Sequence, residues 1–169
     1  MKFFSGFSLN SEYRLFKEYI VDSDFTVVGF SYGAIKAFEY TLNSSERVDR
    51  LILLSPAFFQ NKPKNYARRQ LRYFQNNTKN YIEQFIFNVA YPNSISLKDY
   101  LKEGSIDELK ELLEYQWSEK KIQTIKDKGV TIEVFLGDRD KIIDTKSAFD
   151  FFSKTTTTYM IKDVGHILN

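Results

Sequence analysis

The chain has 169 residues, of which 43% are hydrophobic and 27% are charged, and this composition predicts one soluble domain with a buried core. Its formal net charge of +2 argues against a strongly charged polymer as partner, so we expect no nucleic-acid partner. The lack of cysteine excludes disulfides, thiol nucleophiles and thiolate metal sites, and because no signal peptide or membrane-spanning run is recognisable we expect a cytoplasmic protein with no membrane partner.

Strand and helix patterns alternate along the chain. Strands are predicted near residues 1–4, 25–29, 50–55, 131–136 and 157–161, and helices near 10–21, 33–43, 121–128 and 144–153. This alternation favours a parallel α/β sheet. The stretch 58–119 has no strand pattern but contains amphipathic segments at Tyr66–Phe74, Lys79–Val89 and Ile106–Trp117. We interpret it as a helical cap inserted into a core of residues 1–57 and 120–169, which predicts a single domain overall.

The second predicted strand leads into Gly29-Phe30-Ser31-Tyr32-Gly33, and a helical pattern follows directly. This order is typical of a nucleophile elbow, a sharp strand-to-helix turn that lifts a serine hydroxyl clear of the sheet. Glycines two residues to either side are needed because larger side chains there would collide with the neighbouring helix and strand. We therefore predict that Ser31 is a nucleophile.

Attack by such a serine on an ester builds negative charge on the carbonyl oxygen, which two backbone N–H groups usually stabilise. Tyr32, directly after the serine, offers one of them. The turn Ser5-Gly6-Phe7 after the first predicted strand offers the second at Phe7, although the same turn could simply end a strand. Phe7 and Tyr32 are the predicted donors of an oxyanion hole.

The chain's one histidine, His166, lies in a glycine-containing loop after the last predicted strand. A serine nucleophile needs a base, and imidazole suits that role near neutral pH, so we predict that His166 is the base and not an incidental surface or core residue. A carboxylate must then hold the imidazole. Asp140, three residues after Gly137, is the predicted acid; Asp138 is the nearest alternative, and Asp144 fits better as the N-cap of the next helix.

A basic run opens the predicted cap. Five basic residues and no acid fall within positions 62–72, namely Lys62, Lys64, Arg68, Arg69 and Arg72. A solvated helix face explains such a run about as well as a docking surface does. Arg68 and Arg72 share one face because they are four residues apart on a helix. As a docking surface, the run would favour an anionic partner.

Together these motifs resemble the α/β-hydrolase superfamily, in which the serine, the acid and the histidine follow in that chain order. The chain is most similar to the biotin-pathway esterases that cleave the methyl ester of pimeloyl–acyl-carrier protein, in particular to a short, BioV-like form. The resemblance rests on the segments 4–12, 29–34, 47–56, 137–140 and 165–166.

The resemblance implies a truncated α/β-hydrolase fold, with about five mostly parallel strands, flanking helices and a helical cap. It makes Ser31, Asp140 and His166 the catalytic residues. It makes Phe7 and Tyr32 the donors of the oxyanion hole. It also implies an acyl-carrier protein as partner, docked on the basic run, and a reaction that needs no metal or organic cofactor.

The chain departs from the family pattern near its start. Ser5 stands where the family usually has a histidine before the oxyanion glycine. Only about twenty residues separate Phe7 from the elbow, so the strand that usually intervenes is missing, as are the opening hairpin strands. Strands in sequential order with right-handed crossovers place their helices on one face. We therefore expect the first predicted helix or a homodimer partner to cover the other face.

Three hypotheses for the function stay open. The first is a carrier-protein ester hydrolase, the second a small-molecule carboxylesterase or lipase-like enzyme, and the third a non-catalytic binding module with a hydrolase fold. Covalent labelling of Ser31 by a fluorophosphonate separates the third from the other two. Dependence of turnover on the carrier protein and on salt separates the first from the second.

Overall fold

The computed structural model of the chain describes residues 1–93 and 95–169. Its strands are β1 (Lys2–Phe4), β2 (Thr26–Phe30), β3 (Arg50–Leu54), β4 (Thr131–Gly137) and β5 (Thr157–Ile161). Its α-helices are α1 (Tyr32–Asn43), α2 (Tyr66–Asn76), α3 (Thr78–Ala90), α4 (Ile106–Glu114), α5 (Glu119–Asp127) and α6 (Thr145–Phe152), and two 3-10 helices span Glu12–Phe16 and Lys98–Tyr100. Within the described ranges, no helix combines the length and the apolarity needed to cross a membrane.

The five strands form one parallel sheet in the sequential order β1-β2-β3-β4-β5. This confirms the predicted strands and their parallel arrangement. Every residue of β2 is buried, as is all of β3 except its first residue, so these central strands are continuous apolar runs in the sequence. Because all strands run the same way, the loops that follow β1, β2 and β4 meet at one edge of the sheet.

Three helices cover one face of the sheet, as the sequential strand order predicts. Phe38 of α1, Ile122 of α5 and Phe152 of α6 are all buried in the same cluster. Alternate positions of the central strands, such as Leu53 and Val134, supply the sheet side of that cluster. The helices α1, α5 and α6 therefore lie on the same face and bury it.

The opposite face is covered by short segments of the same chain. Phe30 and Ile52 of the central strands point into a second buried cluster. Phe16 reaches it from the first 3-10 helix, Leu97 from the segment after α3 and Ile167 from the loop after β5. The expectation that the first predicted helix covers this face thus holds for the segment, and the homodimer partner stays a prediction.

The helix predicted over residues 10–21 is wrong in extent and type. Only Glu12–Phe16 is helical, and it is a 3-10 helix. Ser11 before it takes a left-handed conformation with φ 61°, and the N–H of Tyr19 donates to the carbonyl of Phe16 at 2.9 Å, which is the tight three-residue spacing. Burial of Phe16 against the sheet overrides the helical pattern of this segment.

Between β3 and β4 the described chain contains helices and no strand of the sheet. The amphipathic segments predicted within 58–119 correspond to α2, α3 and α4, but α4 ends at Glu114, short of Trp117. Trp117 is held outside the helix because its backbone N–H donates to Gln60 Oε1 at 2.7 Å and its indole N–H donates to the carbonyl of Ala57 at 2.9 Å. Its ring then packs in the main core, where it is 4% exposed.

Candidate active site

Ser31 joins β2 to α1 through a strained turn. Its backbone has φ 54° and ψ −114°, a conformation that L-residues rarely adopt. A Cβ on Gly29 would lie 2.2 Å from the carbonyl oxygen of Gly33, and a Cβ on Gly33 would lie 2.0 Å from the carbonyl oxygen of Phe4. Only a hydrogen atom fits at either position, so β2, α1 and the loop after β1 can pack closely around the serine.

The structure brings three of the predicted residues into one hydrogen-bonded chain. His166 Nε2 lies 2.8 Å from Ser31 Oγ, and His166 Nδ1 lies 2.5 Å from Asp140 Oδ2. Both the imidazole and the carboxylate are fully buried, and Ser31 is 3% exposed. A carboxylate oxygen can only accept, so Nδ1 carries the imidazole hydrogen and Nε2 is left to accept the hydroxyl proton of Ser31.

The three candidate acids lie in different places. Asp140 faces the imidazole, and its other oxygen, Oδ1, accepts the backbone N–H groups of Ile142 (2.6 Å) and Ile143 (3.2 Å). Asp138 turns the other way and accepts the N–H of Asp163 at 2.7 Å. Asp144 caps α6, as its alternative interpretation has it, and the hydrogen bond from the N–H of Ser147 lowers its pKa.

Backbone contacts hold the histidine loop against the loop after β4. The N–H of Arg139 donates to the carbonyl of Val164 at 2.9 Å. A Cβ on Gly137 would lie 2.3 Å from the carbonyl oxygen of Gly165, so the two loops touch through their main chains. Beyond the histidine, the hydroxyl of Tyr19 donates to the carbonyl of Leu168 at 2.9 Å. These contacts fix the imidazole next to its acid.

Of the two predicted oxyanion donors, Tyr32 directly follows the serine, and Phe7 lies on the loop after β1. Tyr32 is the first residue of α1, where backbone N–H groups have no acceptor inside the helix. The loop of Phe7 lies against the same helix start, because the carbonyls of Phe4 and Ser5 would contact any side chain at Gly33. The N–H of Phe7 makes no hydrogen bond to the residues that the structure describes. The N–H of Phe7 is therefore free to bind an acceptor.

Sequence reasoning missed Glu12, a fully buried carboxyl group beside this loop. Its Oε1 accepts the backbone N–H of Gly6 at 2.7 Å. Burial raises the pKa of Glu12, although the hydrogen bond from Gly6 acts in the opposite direction. The only signal for it in the sequence is an acid placed shortly before the apolar pair Leu15 and Phe16.

A second missed group connects α1 to α4. The hydroxyl of Tyr32 donates to Glu111 Oε2 at 2.6 Å, and Lys36 Nζ lies 2.7 Å from both oxygens of the same carboxylate. Burial, together with the bond to Glu111, raises the pKa of Tyr32 to about 12. Burial acts to raise the pKa of Glu111, but the hydrogen bonds from Lys36 and Tyr32 outweigh it and lower that pKa. Tyr32 is thus hydrogen-bonded to α4, one of the helices between β3 and β4.

The helices between β3 and β4 (the helical segment, residues 58–119) also pack against the loop that carries Phe7. The ring of Phe7 lies 6.2 Å from that of Phe74 on α2 and 5.4 Å from that of Phe85 on α3. Phe85 and Ile142 line a cavity of about 220 Å³ between α2, α3, α4 and the loop after β4. Its other walls are mixed: Phe59, Leu109, Leu112 and Leu113 are apolar, whereas Gln70, Gln84, Asn88 and Lys141 are polar. The cavity therefore lies between Phe85, which contacts Phe7, and the loop that carries Asp140.

The basic run lies at the surface, at the start of the same segment. Lys64, Arg68, Arg69 and Arg72 are exposed, and Lys62 is half-buried. None of the five forms a salt bridge with an acid in the described part of the chain. Their positive charge is consequently not neutralised by close acidic partners there. Among residues 1–93 and 95–169, no group of three or more His, Cys, Asp or Glu side chains is placed so that it could hold a metal ion.

The fold is similar to that of several solved structures. Those similar to the chain include a bromoperoxidase from Bacillus anthracis (TM-score 0.69, 13% identity, covering 85% of this chain and 61% of that one). MenH from S. aureus gives a TM-score of 0.59 at 15% identity over 97% of this chain and 85% of that one. Naproxen esterase (carboxylesterase NP) from Bacillus subtilis gives 0.55 at 20% identity over 85% and 53%.

The chain thus has the α/β-hydrolase fold, with its five parallel strands and flanking helices. It spans about half the length of the Bacillus subtilis esterase, 53% of that chain. No protein-family model and no curated protein matches its sequence.

Proposed function

We propose that the chain is a serine carboxylesterase that hydrolyses the methyl ester of pimeloyl–acyl-carrier protein through an acyl-enzyme. The observation that carries the catalytic part is the hydrogen-bonded chain from Ser31 through His166 to Asp140. A buried imidazole held between a carboxylate and a serine hydroxyl is the arrangement that activates serine as a nucleophile.

The chemistry follows from the placement of the protons. His166 Nε2 takes the proton of the Ser31 hydroxyl as Oγ attacks the ester carbonyl carbon. Asp140 stabilises the imidazolium that forms, while the N–H groups of Phe7 and Tyr32 hold the oxyanion. The imidazolium then gives its proton to the departing methoxy group, and methanol leaves.

Hydrolysis of the acyl-enzyme repeats the same steps with water. His166 deprotonates a water molecule that attacks the acyl carbonyl, and the returning proton restores the Ser31 hydroxyl. The free carboxylic acid is the product of this second half-reaction. Ser31 is only 3% exposed, so little water reaches it in the structure.

The proposed substrate rests on the sequence resemblance, on the basic run and on the cavity. Acyl-carrier proteins are acidic, and the exposed Arg68 and Arg72 on α2 supply unpaired positive charge beside the helical segment. The acyl chain would pass under that segment, where Phe85 and Leu109 line the cavity. The segment 58–119 would then act as the cap over the site.

The first experiment asks whether the serine is reactive. A fluorophosphonate should label the wild-type chain at Ser31 and should leave the Ser31→Ala variant unlabelled, as located by mass spectrometry of the peptides. Labelling at another serine, or none in a folded wild-type chain, would leave the non-catalytic binding module as the function.

The second experiment separates the two esterase hypotheses. We expect the kcat/KM for the pimeloyl-carrier methyl ester to fall as salt rises, and to fall about tenfold in the double variant Arg68→Ala, Arg72→Ala, because fewer charges steer the carrier. The matched control is Lys120→Ala, Lys146→Ala, which removes two exposed bases elsewhere. Turnover of p-nitrophenyl butyrate should be unaffected in both. Equal kcat/KM for carrier-bound and free methyl pimelate, without salt dependence, would favour the small-molecule carboxylesterase.

A further inference from the structure

In the loop after β1, hydrogen bonds hold the peptide groups on both sides of Gly6. The N–H of Gly6 donates to Glu12 Oε1 at 2.7 Å, which fixes the peptide group between residues 5 and 6. The carbonyl of Gly6 accepts the N–H of Leu9 at 3.2 Å, which fixes the next one. In a trans peptide the C=O and N–H point in opposite directions, so the second bond directs the N–H of Phe7 away from Leu9.

Glycine is the residue that least restricts its own backbone, so this position depends on outside contacts for its orientation. The Gly6 Cα lies against Phe30, since an added Cβ would be 2.9 Å from Cδ1 of that ring. The loop is also next to the helix start through the carbonyls that face Gly33. A tilt of the peptide planes at Gly6 would therefore move the Phe7 N–H relative to Ser31.

Glu12 forms no salt bridge in the described part of the chain. It is fully buried, and its second oxygen, Oε2, has no hydrogen-bond partner in the described part of the chain. A buried carboxyl group with one unpaired oxygen destabilises the folded chain, because desolvation is not fully offset. An apolar side chain would fill the same space without that cost. The retained carboxyl group is thus explained by its interactions with the loop, through the N–H of Gly6 and, more weakly, the hydroxyl of Ser5, both of which act to lower the pKa that burial raises.

Provided that the proposed function holds, we propose that Glu12 is a positioning residue for the oxyanion hole: it fixes the peptide on one side of Gly6, the Leu9 bond fixes the peptide on the other side, and the two bonds together set the direction of the Phe7 N–H. Ser5, on the same loop, makes a further contact. Its hydroxyl accepts the N–H of Ser11 at 3.1 Å, which ties the loop to the start of the 3-10 helix that carries Glu12. The acid and the serine together supply the support.

The test compares three variants with the wild type, using p-nitrophenyl butyrate. Glu12→Leu removes the acceptor, and kcat should fall about 10- to 100-fold with KM within about twofold, because a misdirected donor weakens transition-state binding alone. Glu12→Gln keeps a carbonyl oxygen for Gly6, and kcat should stay within about threefold of wild type. Leu15→Ala, on the same 3-10 helix and half-buried, should lower the melting temperature without lowering kcat.

Amide hydrogen exchange at Gly6, measured by NMR, provides a readout that does not depend on activity. Exchange should quicken at least about tenfold in Glu12→Leu but not in Glu12→Gln or Leu15→Ala. Unchanged exchange in Glu12→Leu would overturn the positioning role whatever the activity. A kcat for Glu12→Leu equal to wild type, or a fall matched by Leu15→Ala, would overturn it as well. An inactive wild type that shows the exchange effect would refute the proposed function while leaving the loop contact intact.

Discussion

Asparagine in place of Asp140 should disable the site through the hydrogen atoms of the new amide. Asp140 Oδ1 accepts two backbone N–H groups, from Ile142 and Ile143, and Oδ2 faces His166 Nδ1 at 2.5 Å. Those two N–H groups need an acceptor, so the amide oxygen of the variant must take the Oδ1 position. The NH₂ group is then left facing the imidazole.

An NH₂ group there reverses the tautomer of the imidazole. Nδ1 must accept from it, so the ring hydrogen moves to Nε2 and His166 can no longer accept the proton of Ser31. The equivalent loss in a serine protease lowers kcat by about 10⁴-fold, which corresponds to about 5.5 kcal/mol of barrier. We expect a loss of that order for Asp140→Asn, because the two backbone donors leave the amide only one orientation.

The assay is steady-state hydrolysis of p-nitrophenyl butyrate, supported by the rate of fluorophosphonate labelling at Ser31. Asp138→Asn is the matched control: it makes the same chemical change two residues away, on an acid that accepts from Asp163 and does not face the imidazole. Its kcat should stay within about twofold of wild type, since surface substitutions of this kind change little. The reasoning fails if Asp140→Asn retains more than about a tenth of kcat, or if the two variants lose equal activity.

Three further predictions concern stability in urea. Gly33→Ala should lower the free energy of unfolding by more than about 2 kcal/mol, because the new Cβ would lie 2.0 Å from a main-chain oxygen. Gly129→Ala should cost only about 1 kcal/mol, because Gly129 has φ 84° but open space around it. Similar costs for the two variants would contradict the packing argument. Tyr32→Phe should cost about 1 kcal/mol through the lost bond to Glu111, and a neutral result would mean that Lys36 alone satisfies that carboxylate. Because burial raises the pKa of Glu12, the folded state keeps its proton to higher pH than the unfolded chain does. The free energy of unfolding of the wild type, relative to Glu12→Gln, should therefore fall as pH rises above 4.5. A difference between the two proteins that stays constant with pH would refute this.

The sheet could be predicted because its information is local. Buried parallel strands are short apolar runs, and β2 and β3 show this pattern along almost their whole length. The glycine-flanked turn at Ser31 is local too, since its glycines are required by contacts within the same turn and with the neighbouring strand. The failed prediction at 10–21 shows the limit of such patterns, because the burial of Phe16 decides the backbone there.

The sequence favours Asp140 as the acid, but it does not exclude Asp138. Both follow the same glycine on the same loop, and their side chains diverge only because each binds different backbone N–H groups. Asp140 accepts a backbone N–H of its own loop, from Ile142, whereas Asp138 accepts the N–H of Asp163 on the loop after β5. Such partners are set by how two distant loops meet, so they appear only once the fold is built.

Asp140 and Glu12 show the same principle at the two ends of the site. Each carboxyl group uses one oxygen to hold the main chain of a loop, and each loop presents a group that the proposed reaction needs: the imidazole in one case and the N–H of Phe7 in the other. Asp140 could be predicted because a histidine at the end of a strand calls for an acid. Glu12 could not, because its partner is a backbone N–H, which every residue other than proline carries and which leaves no mark in a sequence.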